Sequence, residues 1–283
     1  MRRIFNILVY IFAVIGFVLI VGYLAIRLGW TKTAGIIDNQ HDFFKSQVHH
    51  SKGFATSTLA DEAWTRTEEW SVLKAAIIKD ADSIDKAAAA TGVPARMIVA
   101  PLVVEQLRLF YTDREVFKSV FAPLKILGVQ SQFSWGVMGI KQDTAIAIEN
   151  HLADSQSPWY LGPEYSHLLD YSGTSSGSSG TVDRDAERFA KLTSEHDRYY
   201  SYLYAALCIK EIETQWKNAS FPIENRPDIL ATLFNIGFGN SHPNTNPQSG
   251  GAEIDIGTTT YSFGGLAGSF YDSSELIDIF PRD

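Results

Sequence analysis

Residues 91–110 read TGVPARMIVAPLVVEQLRLF, and the fold turns on this stretch. Gly92 suits the end of one helix, and Pro94 suits the first turn of the next, where its missing N–H would have no intrahelical partner. From Met97 to Val104 every residue is apolar. That is more than a one-sided stripe needs, so the pattern predicts a helix buried on most of its sides. Glu105 follows directly. On a 3.6-residue period it shares a face with Ile98, Pro101, Leu102 and Leu109, an expensive place for a charge. Two readings of Glu105 follow. In the first, apolar surroundings favour the protonated carboxyl, which can then act as a general acid. In the second, Glu105 marks where the helix emerges into water or meets an arginine such as Arg108.

Upstream, residues 61–90 carry Trp64, Trp70, Leu73, Ile77 and Ile84 among charges, a helical pattern closed by Gly92. Residues 28–60 show no sustained period and read as a juxtamembrane segment. Downstream, QDTAIAIENHL at 142–152 reads as a helix. The run YSGTSSGSSGTVDRD at 171–185 is too polar and glycine-rich to support a core and reads as a flexible insertion. Further helices are expected over about 186–217 and 227–236, the second opened by Pro227 and ended near Gly237. From 251 onward AEIDIGTTTYSFGG alternates and is rich in Thr, which predicts a C-terminal β-hairpin and tail. The expected fold is mainly α with a small β element, its main domain spanning 61–250.

The 283 residues are 45% hydrophobic, enough for a full core. A net charge of −8 offers no basic footprint for a phosphate backbone, so nucleic acid is not an expected partner. The one cysteine, Cys208, excludes an internal disulfide and lies on a helical stripe with Ala205, Ile209, Ile212 and Trp216, where a small buried side chain is expected. The seven histidines are scattered, so neither a metal site nor a cofactor is expected. Residues 4–26, IFNILVYIFAVIGFVLIVGYLAI, hold no charge and would span about 34 Å as a helix, against roughly 30 Å of hydrocarbon. Arg2 and Arg3 precede this span, and Arg27 and Lys32 follow it. The expectation is an uncleaved single-pass anchor in a bacterial cell membrane, with the rest of the chain extracytoplasmic; a cleaved signal peptide is the alternative.

Three stretches carry a resemblance. TGVPARMIVAPLVVEQ resembles the segment of lytic transglycosylases and goose-type lysozymes that leads through an apolar helix to the catalytic glutamate, here Glu105. SWGVMGIKQDTA, 134–145, is similar to their Ser-x-Gly-Leu-Met-Gln-Ile-x-Pro-x-Thr-Ala signature at Ser134, Gly136, Met138, Ile140, Thr144 and Ala145. LFNIGFG, 233–239, resembles their Ala-Tyr-Asn-x-Gly-x-Gly segment through Asn235, Gly237 and Gly239. The three occur in family order over about residues 61–245.

The resemblance implies a lysozyme-like helical domain that cleaves the β-1,4 MurNAc-GlcNAc bond of peptidoglycan with Glu105. Ser134, Gly136, Met138, Gly139, Phe234 and Asn235 would line the substrate cleft. On this reading Gly136 and Gly139 let backbone approach a flat sugar ring, Ser134 offers a short polar contact, and Met138 an adaptable apolar surface. The departures are specific. The signature glutamine is Gly139, its proline is Gln142, the serine after the acid is Gln106, and the tyrosine of the third segment is Phe234. Tyr111, Tyr165 and Tyr261 are candidates to restore the lost hydroxyl. Glycosidases commonly employ two carboxylates, but Asp113 and Asp143 read as solvated or capping residues. Two rival functions are a peptidoglycan-binding module with little turnover and a structural subunit of an envelope protein complex.

Overall fold

A computed structural model describes residues 63–111, 134–170, 183–194 and 196–282. The expected anchor over 4–26, the 28–60 segment and Asp113 lie outside them. Among the described residues the fold is mainly helical: α1 (Glu68–Lys79), α2 (Ala81–Thr91), α3 (Ala95–Phe110), α4 (Gln142–Ala153), α5 (Arg184–Thr193), α6 (Tyr199–Asn218), α7 (Pro227–Ile236) and α8 (Phe263–Asp272). No helix of the described residues is long and apolar enough to cross a membrane. Two antiparallel hairpins complete it, β1 (Ser134–Trp135) with β2 (Ile140–Lys141), and β3 (Glu253–Ile256) with β4 (Thr259–Ser262).

The decisive stretch is the central helix. α3 packs against α1, α2, α6, α7 and α8, and residues 96–105 are buried without a break. Each Val, Leu, Ile or Met that it buries contributes roughly 1.5–3 kcal/mol relative to exposure. Gly92 ends α2 at φ 71°, with open space where a side chain would be, so it serves the left-handed backbone alone.

The helix expected over 61–90 is divided. Ala63–Arg66 form a 3-10 turn, Thr67 caps α1 by accepting from Trp70 N, and Asp80 ends α1 and opens α2. The cause of the break is tertiary. The Asp80 carboxylate accepts from the Tyr202 hydroxyl at 2.6 Å and from Arg198 Nη1 at 2.9 Å, tying the joint to the start of α6. The helix expected over 186–217 is likewise two, α5 and α6. Between them Ser194 Oγ accepts from Asp197 N, and Asp197 Oδ1 from Tyr199 N, local bonds that compete with helical ones. The insertion expected over 171–185 yields its last residues to α5, which Asp183 caps by accepting from Ala186 N; residues 171–182 lie outside the described set.

The C-terminal expectation needs the largest correction. The hairpin is present, in register Ile254 to Tyr261 and Ile256 to Thr259, but a helix follows it. Ser262 caps α8 by accepting from Gly265 N, and Phe263, Leu266, Ala267 and Phe270 form its buried face. Its glycines serve close packing. A Cβ on Gly264 would lie 2.0 Å from Thr232 Oγ1 and 2.3 Å from the Asp228 carbonyl on α7. Arg96, fully buried in the first turn of α3, locks the tail down. It donates to the carbonyls of Phe270, Tyr271, Ser273, Glu275 and Phe280 at 2.8–3.0 Å. Burial is the main influence pulling its guanidinium below the usual arginine range.

Candidate functional site

Glu105 lies one turn from the end of α3, and its carboxyl meets the turn of the β1–β2 hairpin. Ser134 pairs with Lys141 and Trp135 with Ile140. Gly136 and Gly139 both adopt φ 64°, and Gly139 N donates to the Gly136 carbonyl at 3.3 Å. A Cβ on Gly139 would sit 2.3 Å from Glu105 Oε1 and 2.6 Å from its carboxyl carbon. The acid therefore fills the space in which any side chain at position 139 would begin. Gln106 donates through Nε2 to the Val137 carbonyl and so ties the same turn to α3.

The surroundings of Glu105 hold features of both readings. The residue is 3% exposed, yet Arg108 Nη2 donates to both of its oxygens at 2.7 Å. This i,i+3 pair is the outcome foreseen in the second reading: the carboxyl is half of an enclosed ion pair rather than a lone acid among hydrocarbon.

The other expected cleft residues divide. Gly136 does not open a path to a ligand: a Cβ there would lie 2.1 Å from the Leu192 carbonyl and 2.7 Å from Ser201 Oγ, so its smallness lets the hairpin close onto α5 and α6. Met138 is fully buried and belongs to the core, which corrects its role as an adaptable cleft surface. Its N–H donates to Ser201 Oγ at 3.4 Å. Trp135 is core as well, edge-on to Phe189 at 5.1 Å. Asn235 accepts from Ala252 N at 2.9 Å, and a Cβ on Gly251 would lie 2.9 Å from its Oδ1. It pins the segment entering β3. Phe234 is half-buried against the core. Gly237 caps α7 at φ 83°, and open space lies beside Gly239. Two of the tyrosines are engaged elsewhere, Tyr111 donating to Glu69 Oε2 at 3.0 Å and Tyr165 to the Thr91 carbonyl at 3.3 Å. Asp143 is an exposed residue of the first turn of α4.

A second carboxyl was missed. Glu211, in the middle of α6, is fully buried, and His151 Nδ1 on α4 lies 2.8 Å from its Oε2. Burial pushes the Glu211 carboxyl up to about 10. The His151 ring is held below the usual histidine range, chiefly by burial, with Asp154 opposing. Burial thus favours the uncharged form of both partners, an arrangement in which the Glu211 O–H would donate to His151 Nδ1. His151 stacks on Trp159 at 4.5 Å and meets Phe238 edge-on at 4.7 Å. Burial, with Glu211 adding to it, also pushes the Cys208 thiol up, so that thiol is inert. The sequence held one signal for this cluster: the unbroken apolar run Leu203–Ile209 marks α6 as buried on all sides, and Glu211 comes two residues later.

No protein-family model matches the chain, and neither a curated protein nor a solved structure was found to match it. The function is accordingly argued from the residues themselves. Among the described residues no cluster of His, Cys, Asp and Glu has the makings of a metal site.

Proposed function

We propose that the protein is a membrane-anchored lytic transglycosylase with a lysozyme-like helical domain, cleaving the β-1,4 MurNAc-GlcNAc bond of peptidoglycan outside the cytoplasmic membrane. The observation that carries this reading is the seating of Glu105: a carboxyl at the end of a buried apolar helix, pressed against the glycine turn that the family resemblance assigns to the same site.

Glu105 gives a proton to the glycosidic oxygen as the bond from that oxygen to C1 breaks, then takes a proton back from the group that attacks C1. When the attacking group is the sugar's own 6-hydroxyl, the product is a 1,6-anhydro sugar and no water is consumed. When it is water, the outcome is hydrolysis. One acid serves both steps. Neither Asp143, exposed on α4, nor Glu211, sealed and bonded to His151, offers itself as a second acid among the described residues, which favours the intramolecular route.

The Arg108 pair supports a second reading, a peptidoglycan-binding module with little turnover, because both oxygens of Glu105 are already engaged by one guanidinium. Digestion of purified peptidoglycan with the protein, followed by mass analysis of the fragments, separates the two. Anhydro-ended fragments that vanish in Glu105→Gln support the enzyme. Tight retention on the wall polymer without fragments supports the binder and ends the transglycosylase reading.

A further inference from the structure

The β1–β2 hairpin pairs only two residues on each strand. That is too few to fix its own shape, since even a longer isolated hairpin is marginal in water. Its turn nevertheless holds one position closely, because the Gly139 backbone lies against the Glu105 carboxyl with no space for a side chain between them. Contacts from outside the hairpin have to set that position.

The turn closes through Gly139 N donating to the Gly136 carbonyl at 3.3 Å, so Val137 and Met138 are its central residues and the peptide that joins them is its middle. Both polar atoms of that one peptide are taken by side chains from different helices. Its carbonyl, on Val137, accepts from Gln106 Nε2 on α3. Its N–H, on Met138, donates to Ser201 Oγ on α6 at 3.4 Å. In a trans peptide these two atoms point in opposite directions across one plane, so the two bonds together fix the tilt of the turn. Ser201 is 1% exposed and Met138 is fully buried, so that N–H has little access to water once its partner is removed. Gln106 follows Glu105 in the chain, and one helix thereby carries both the acid and an arm that holds its wall. We propose, resting on the glycan-cleaving reading, that Gln106 and Ser201 are positioning residues: by clamping the Val137–Met138 peptide they set how Gly139 meets the Glu105 carboxyl, and with it the direction in which the acid presents its proton. Neither side chain touches the glycan.

The test pairs kinetics with a readout that needs no turnover, both on the full-length chain. Cleavage of soluble peptidoglycan strands is followed for Gln106→Leu, Gln106→Glu and Ser201→Ala. Hydrogen exchange is read by mass spectrometry over 134–141, which spans the hairpin, and over α2, 81–91, as the internal control. Gln106→Leu and Ser201→Ala should each lower kcat by about tenfold, as when a catalytic group is slightly misplaced, and change KM by less than about twofold. Gln106→Glu keeps the shape but, ionised, has no donor for the Val137 carbonyl. It should be no better than Gln106→Leu, whereas a side chain that only fills space would tolerate the change. Because both bonds act on one peptide, the double variant Gln106→Leu/Ser201→Ala should lose less than the product of the two single losses. In each variant exchange over 134–141 should quicken while 81–91 keeps its protection. A variant that fails to fold loses protection in both segments, and the remaining ones then decide. Wild-type exchange over 134–141 in Gln106→Leu and Ser201→Ala overturns the clamp. Quickened exchange with an unchanged kcat, or a Gln106→Glu variant with the wild-type kcat, overturns the positioning role. Wild-type protein that releases no fragments sinks the enzyme instead, and the exchange rates still judge the clamp.

Discussion

Glu105 near the end of α3 and Glu211 in the middle of α6 are both sealed from water, 3% and 0% exposed, and are held in opposite ways. Glu105 faces a guanidinium and a glycine turn. Glu211 faces an imidazole that is itself kept neutral, inside a cage of aromatic rings. Burial alone therefore does not decide what a carboxyl becomes. The partner decides, since a fixed cation compensates the charge that desolvation penalises, whereas a neutral acceptor rewards the acid that keeps its proton. The difference has a chemical consequence. The pair on α3 lies against a hairpin turn, whereas the pair on α6 joins two helices and stabilises their packing.

The strongest way to break the comparison is to remove each partner in turn. Arg108→Ala leaves Glu105 enclosed without the cation that holds both its oxygens, and should cost about 3–5 kcal/mol in a denaturant titration. His151→Leu takes only a neutral acceptor from Glu211 and should cost less, about 1–3 kcal/mol. Equal losses at the two sites would mean that Glu105 is effectively solvated and that the contrast drawn from its ion pair is wrong. Gly139→Ala acts on the Glu105 site alone. It forces a side chain into a φ of 64° and a Cβ within 2.3 Å of Glu105 Oε1. The backbone strain costs about 1–3 kcal/mol, and, on the proposed function, glycan cleavage should drop by roughly a hundredfold, as when a catalytic group is misplaced by about an ångström. The control is Gly136→Ala, which meets Leu192 and Ser201 instead. It should lower the melting temperature, and the surviving folded protein should keep more activity than Gly139→Ala.

Much of this contrast was legible in the sequence, but only as far as local pattern reaches. Met97–Val104 announce a buried helix, Gly92 and Pro94 mark its threshold, and Pro227 and Gly237 bound α7 where expected. The apolar run also made Glu105 conspicuous and named Arg108 as its alternative partner. What escaped reading depends on distant residues. Asp80 breaks a periodic helix because Tyr202 and Arg198 reach it from α6. The glycines of FGGLAGSF hide α8 within what reads as a hairpin and tail, although Gly264 is there for contact with Asp228 and Thr232. Gly136 and Gly139 are three residues apart and share one backbone conformation, yet only Gly139 faces the acid. His151 and Glu211 are 60 positions apart, and nothing in either segment signals that they meet.

The sharpest probe of Glu211 is pH, because the effect of removing its carboxyl grows as pH rises. Burial raises the Glu211 carboxyl from 4.5 to about 10, so between those values the folded state keeps a proton that the unfolded state has released. The stability this provides is complete below the unfolded value and drains away as pH rises, by at most about 1.4 kcal/mol per pH unit. His151 acts the other way. Burial lowers it from 6.5, so acidification below that value favours the unfolded chain, which binds the proton more readily. The two slopes oppose each other in mild acid, and of the two groups only Glu211 acts on the alkaline side. Glu211→Gln retains an N–H donor for His151 Nδ1 and removes the ionisable group. The variant should melt close to the wild-type protein at about pH 5 and above it at about pH 9, with the gap opening steadily between them. A constant gap across that range would show that Glu211 carries no proton to lose, and its likeness to Glu105 would then be closer than their partners suggest.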